Sequence, residues 1–272
     1  MKTNVRDRRN RSPGRCFAFV WVCGGLLFAT QVFAQISPDV KACEEKKGDE
    51  AIAACTRAIE TSPNKKNIAS VYFNRAVEWA AKKDYDRAIA DYAEAIAINP
   101  QYREAFNNRG NAHRNKRDYD LAIADYDAAI RINPKRGLYH RNRGNVLMDK
   151  RDYEKALASF NEAIRLDPND ADANDSAAWL MASAPDAKLR NGKRAVELAQ
   201  KACELTQWKN GSYVDTLAAA FAEAGDYAEA VRREQQALAN PEFEQSEGKN
   251  ARNRLAQYKA GKPNRLRAAV AK

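Results

Sequence analysis

The chain has 272 residues and carries 46 Lys and Arg against 36 Asp and Glu, a formal charge of +10. With 44% apolar residues, 12 Gly and 9 Pro it is neither collagen-like nor disordered, and it can bury a sizeable core. Five Cys are too few for a disulfide-dense scaffold, and two His leave little material for a His-based catalytic or metal site.

The positive charge is unevenly placed. Residues 1–34 contribute +5, residues 35–247 contribute −3 and residues 248–272 contribute +8. In the first segment Lys2, Arg6, Arg8, Arg9, Arg11 and Arg15 precede an uncharged stretch from Cys16 to Ala34 that closes on Val32-Phe33-Ala34. A basic start, an apolar middle and a small-residue end form the pattern of a secretory signal, with cleavage expected before Gln35. The alternative is an uncleaved inner-membrane anchor through residues 16–34, because a bilayer core is crossed by about 20 apolar residues. Either reading places the protein in an envelope compartment, the periplasm if the signal is cut. Export and a net-negative body both argue against a nucleic-acid partner.

From residue 69 the sequence repeats with a period of 34. Ala88-Ile89-Ala90-Asp91-Tyr92 returns as Ala122-Ile123-Ala124-Asp125-Tyr126 and as Ala156-Leu157-Ala158-Ser159-Phe160. The turns Lys83-Asp84-Tyr85, Arg117-Asp118-Tyr119 and Arg151-Asp152-Tyr153 keep the same spacing, as do Asn99-Pro100, Asn133-Pro134 and Asp167-Pro168. Pro lacks an N–H and disfavours the helical conformation of the residue before it, so each of the last three is a helix stop. Phe106, Gly110, His113, Ala122, Tyr126, Ala129 and Pro134 fill the positions of one unit, and His140, Gly144, Leu147, Ala156, Phe160, Ala163 and Pro168 those of the next.

This spacing and these residues resemble the tetratricopeptide repeat, a helix–turn–helix unit of 34 residues. The resemblance implies an all-α, right-handed superhelical solenoid. Its units are expected at residues 69–102, 103–136 and 137–170, with a degenerate unit at 35–68, a unit with about five inserted residues at 171–209 and a last unit at 210–247. Residues 248–272 supply a cap, with a helix expected over Ala251–Tyr258, and a basic tail. In the degenerate unit Cys43 and Cys55 fall on two antiparallel helices, so an exported chain can join them in a disulfide; the alternative is two buried thiols. Cys203 falls at a small-residue packing position.

No catalytic constellation stands out. His113 and His140 occupy packing positions, Asp125 and Asp127 read as acids on a solvated helix face, and no cofactor or metal motif is present. The resemblance implies a non-enzymatic scaffold that holds a protein or peptide segment on the concave side, lined by the first helix of each unit. The groove positions are Asn107, Asn111 and Arg114, then Arg141 and Asn145, then Asp172, Asp175, Asp215 and Glu223. Asn can bond an extended main chain and Arg can grip a carboxylate. A bound segment is therefore expected to set an acidic end near Arg141 and a basic stretch toward Asp215. The alternatives are a self-assembling solenoid and a tail that touches an anionic envelope surface.

Overall fold

The computed structural model describes residues 37–62 and 68–267, and residues 1–34, where the sequence leads to the expectation of an export signal, lie outside them. The described residues form thirteen α-helices and no strand. They follow as consecutive pairs: α1 (Pro38–Glu45) with α2 (Gly48–Thr61), α3 (Ala69–Ala81) with α4 (Tyr85–Ile98), and α5 (Arg103–Lys116) with α6 (Tyr119–Ile132). Next come α7 (Gly137–Asp149) with α8 (Tyr153–Leu166), α9 (Ala171–Ser183) with α10 (Gly192–Leu205), and α11 (Gly211–Ala224) with α12 (Tyr227–Leu238). The last helix, α13 (Pro241–Lys259), covers the end of the stack and is longer than the expected Ala251–Tyr258. Pro241 stops the preceding unit and also opens α13 at a first-turn position, where a missing N–H costs nothing, while Asn240 accepts the Phe243 N–H at 3.0 Å.

The repeat positions explain the packing. Tyr92, Tyr126 and Phe160 are buried between the two helices of their units, with Ala88, Ala122 and Ala156 beside them at zero exposure. Burying such a ring contributes about 1.5–3 kcal/mol. The facing helix has to be bare to admit it. A Cβ on Gly110 would lie 2.9 Å from the Tyr126 ring, and one on Gly144 would lie 2.6 Å from the Phe160 ring.

A second recurring contact is electrostatic. Arg75 pairs with Asp91 through two hydrogen bonds of 2.7 Å, and Arg109 pairs with Asp125 at 2.9 and 2.7 Å. Asp125 is buried at 5% exposure, so it is a structural acid rather than part of a solvated face. In the fourth unit the acid is replaced by Ser159. Arg143 then reaches Ser159 Oγ at 3.2 Å and Asp127 of the preceding unit at 2.8 Å.

Odd-numbered helices of successive units approach one another at every step but α7 to α9, most closely α9 with α11, and no even-numbered pair is in comparable contact. The odd helices therefore line the inner side of the curve. At the start of the array the Cys43 and Cys55 sulfurs are 2.04 Å apart in a disulfide that ties α1 to α2, and Cys203 is a buried free thiol. No described helix is long and apolar enough to cross a membrane.

Candidate functional site

Phe73, Asn107, Arg141, Asp175 and Asp215 occupy the same position on α3, α5, α7, α9 and α11, and they form the spine of the inner face. From Asn107 onward this spine is largely self-paired. Asn107 is buried, donates to Asn108 Oδ1 at 3.0 Å and accepts from Asn142 Nδ2 at 2.9 Å. Arg141 pairs with Asp170 at 3.0 Å and with Asp172, whose other oxygen accepts from the Tyr213 hydroxyl at 2.5 Å. Asp215 accepts from Arg254 Nε of α13 at 2.7 Å. Each unit thus hands a polar contact to the next.

The remaining groove residues divide. Asn111 Oδ1 accepts the hydroxyl of buried Tyr126 at 2.7 Å, which fixes the ring that fills the unit. Arg114 pairs with Asp149 at 2.7 Å. Glu223 lies between Arg190 at 3.0 Å and Arg265 at 2.5 Å. Asn145 is half-buried and makes no side-chain hydrogen bond among the described residues. The sequence expectation of an acidic, base-seeking end near Asp215 meets a base already in place, because α13 lays Arg254 across it.

Burial changes the charge of that end. Asp175 Oδ1 is sealed from solvent without a hydrogen-bond partner. Desolvation pushes its carboxyl up to about 8; Thr216 offsets part of the shift, and Asp215 and Asp172 add to it. Glu234 is fully buried 3.4 Å from Arg254, and desolvation together with the charge of Asp215 raises its pKa. Asp215 is also raised by burial, against the pull of Arg254. These buried carboxyls therefore hold less net negative charge than their formulae suggest.

The other end of the groove is open. A depression of about 450 Å³ lies where α3, α5 and α7 meet, lined by Phe73, Arg103, Asn107, Asn108, Arg136 and Tyr139. Arg136 has no carboxylate within ion-pair distance among the described residues, whereas Arg103 pairs at 2.9 Å with its neighbour Glu104, which also lines the depression, and hydrogen-bonds Tyr139. An apolar floor, amides that can meet a main chain and two accessible guanidinium groups suit an extended segment with a carboxylate. The sequence reading included Asn107 and missed Phe73, Arg103 and Arg136. The available signal was the loop after each helix-stopping Pro, which delivers Arg103 and Arg136 to the groove mouth. His113 and His140 lie in the packed interior, with a His140 ring nitrogen 3.2 Å from the Pro134 carbonyl.

Residues 73–136, 107–171 and 141–205 match the tetratricopeptide repeat family model. Among solved structures, the chain is similar to YrrB, described as a tetratricopeptide repeat protein with an unusual peptide-binding site, at 21% identity and a TM-score of 0.57 over 73% of this chain and 100% of that one. MamA from Desulfovibrio magneticus RS-1 matches at 20% identity and a TM-score of 0.56, over 68% of this chain and 98% of that one. The thermophilic tetratricopeptide repeat protein TTC0263 of Thermus thermophilus matches at 18% identity and a TM-score of 0.51, over 71% and 99%. No curated protein sequence matches.

Proposed function

Because the chain belongs to the tetratricopeptide repeat family, we propose that it is a non-enzymatic scaffold that captures an extended protein segment between α3, α5 and α7. The observation that carries this reading is the unequal groove. Its second half is filled by internal ion pairs and by α13, whereas the depression around Phe73 and Asn107 keeps the cations Arg103 and Arg136 accessible. The preferred ligand is a segment with an apolar side chain over Phe73 and a carboxylate, side-chain or terminal, against Arg136. Asn107 and Asn108 line the path of its main chain. Arg114 and Arg141 act as a second rank, since a ligand carboxylate has to compete there with Asp149 or Asp172. The basic start and apolar stretch of residues 1–34 support action in the cell envelope.

A peptide array with free C-terminal carboxylates tests the site directly. The wild-type chain is expected to select apolar–acidic ends, and an Arg103→Ala, Arg136→Ala variant with unchanged circular dichroism should bind them at least about tenfold more weakly, as loss of two charge-assisted contacts implies. Equal binding by the variant would remove the assignment, and an array without binders would remove the peptide reading altogether.

A further inference from the structure

Four first helices close in the same way. A residue with left-handed backbone follows each one: Lys83 at φ 63°, Arg117 at 67°, Arg151 at 62° and Gly225 at 89°. Its N–H returns to the carbonyl three residues back, namely Ala80, Arg114, Met148 or Ala222. The N–H of the next residue, always Asp, returns to the carbonyl five back, namely Trp79, His113, Leu147 or Phe221. The turn therefore caps its own helix.

Helix α9 cannot close this way. The equivalent position is Pro185, whose ring fixes φ near −65° and which has no N–H to give. The chain detours through a short 3-10 turn, Ala187–Leu189, and the Asn191 N–H takes the Met181 carbonyl at 3.0 Å. The carbonyls of Ala182 and Ser183 are left without a partner from the turn, at the electronegative end of a helix.

Both are taken from far along the chain. Leu266 N–H donates to Ser183 O at 2.8 Å, and Arg265 Nη1 donates to Ala182 O at 3.3 Å. Arg265 Nη2 also pairs at 2.5 Å with Glu223, which Arg190 steadies from the other side. The Tyr153 hydroxyl donates to Arg267 O at 2.8 Å, and the Leu266 side chain packs against the core cluster that runs from α7 to α13. Acceptor, acceptor, carboxylate, apolar seat and hydroxyl donor together read one short extended segment.

We propose that the open end of α9 is a second docking site, specific for an extended segment with Arg followed by a Leu-sized apolar residue. Residues 265–267 occupy it in cis, and a partner segment of the same chemistry takes their place. This site lies apart from the depression at α3, α5 and α7 and does not depend on it. The occupant is read from the chain's own strap: the same groups that hold Arg265 and Leu266 hold any segment presenting them in that order.

The test uses the full chain carrying Arg265→Ala and Leu266→Ala, with a fluorescent peptide of residues 261–268, Gly-Lys-Pro-Asn-Arg-Leu-Arg-Ala, as probe. Removing the cis competitor should raise the apparent affinity at least about tenfold over the wild-type chain, because occupancy in cis lowers the competent fraction. Adding Glu223→Gln should cancel the gain, and a peptide with both residues changed to Ala should not bind. Equal affinity for variant and wild type, no binding to a variant of native circular dichroism, or indifference to Glu223→Gln would overturn the proposal. Amide exchange on the wild-type chain gives a second readout that needs no substitution. Excess peptide should speed exchange of the Leu266 amide, and an unchanged rate counts equally against the site.

Discussion

Asp175 sits in the inner spine with one oxygen sealed, and its ionisation is linked to stability. Its carboxyl is pushed up to about 8 when folded, against about 3.9 in an unfolded chain. Between those values the unfolded state has released a proton that the folded state keeps, so stability falls as pH rises from about 4 to 8. Asp175→Asn should leave the melting temperature almost unchanged at pH 4 and raise it at pH 8. Thermal unfolding at pH 4, 6 and 8 checks this, and a variant whose slope matches the wild type would show that Asp175 ionises freely. Glu234 and Asp215 are raised by burial as well, so they add slope of the same sign and the variant flattens the profile without abolishing it. Sequence reasoning marked Asp175 as a groove acid but could not see its charge state, which depends on neighbours from α11 and on depth. Asp125 is the plainer case. The recurrence of Arg75 with Asp91 and Arg109 with Asp125, sixteen residues apart across a turn, is present in the sequence, yet only packing turns it into a buried pair. Such a pair is costly to break, about 3–5 kcal/mol when one partner is removed.

At the scale of helices, the close approach within a unit sets the tolerance to change. Gly144 faces Phe160, and a Cβ there would meet ring carbons at 2.6 and 2.7 Å. Phe160 is fully buried and has nowhere to withdraw, so Gly144→Ala should destabilise the chain by about 1–3 kcal/mol through overpacking, despite the better helix propensity of Ala. Urea unfolding measures it; a neutral or stabilising result would mean that the ring moves freely. Gly144 and Phe160 were legible in the sequence because both recur in register with Gly110 and Tyr126. The helix ends were less so. Pro185 and Pro241 are equally visible as letters, yet Pro241 starts a helix as well as ending a unit. Pro185 removes a left-handed turn, and the open carbonyls it leaves are met by residues 83 positions away. A local pattern can show that a turn fails, but it carries no information on which distant segment repairs it.

For the whole molecule, the period of 34 made the helical stack readable from sequence alone, because each unit touches mainly its neighbours and repeats their contacts. The tail was not readable, since its positive charges have no periodicity: Arg252, Arg254 and Arg265 are paired with Glu244, Asp215 and Glu223, and of the three Arg252 and Arg265 are exposed. The near-neighbour architecture also predicts how the stack comes apart. In a solenoid, stability is close to a sum of unit and interface terms, so a loss at one end need not spread to the other. The first pair is the weakest by this logic: α1 has eight residues, and its buried positions reduce to Cys43. The Cys43–Cys55 bond compensates by constraining the unfolded form of this pair, worth about 3 kcal/mol for a loop of this size in the chain-entropy model. Reduction should therefore release α1 and α2 locally while α9 to α12 stay folded. Hydrogen exchange with and without dithiothreitol reads this directly. Amides around Ala54 and Cys55 should lose most of their protection, and those around Ala199 and Leu217 should keep theirs. If protection falls equally at both ends the array unfolds as one cooperative body, and if it falls at neither the bond contributes nothing to this end of the stack.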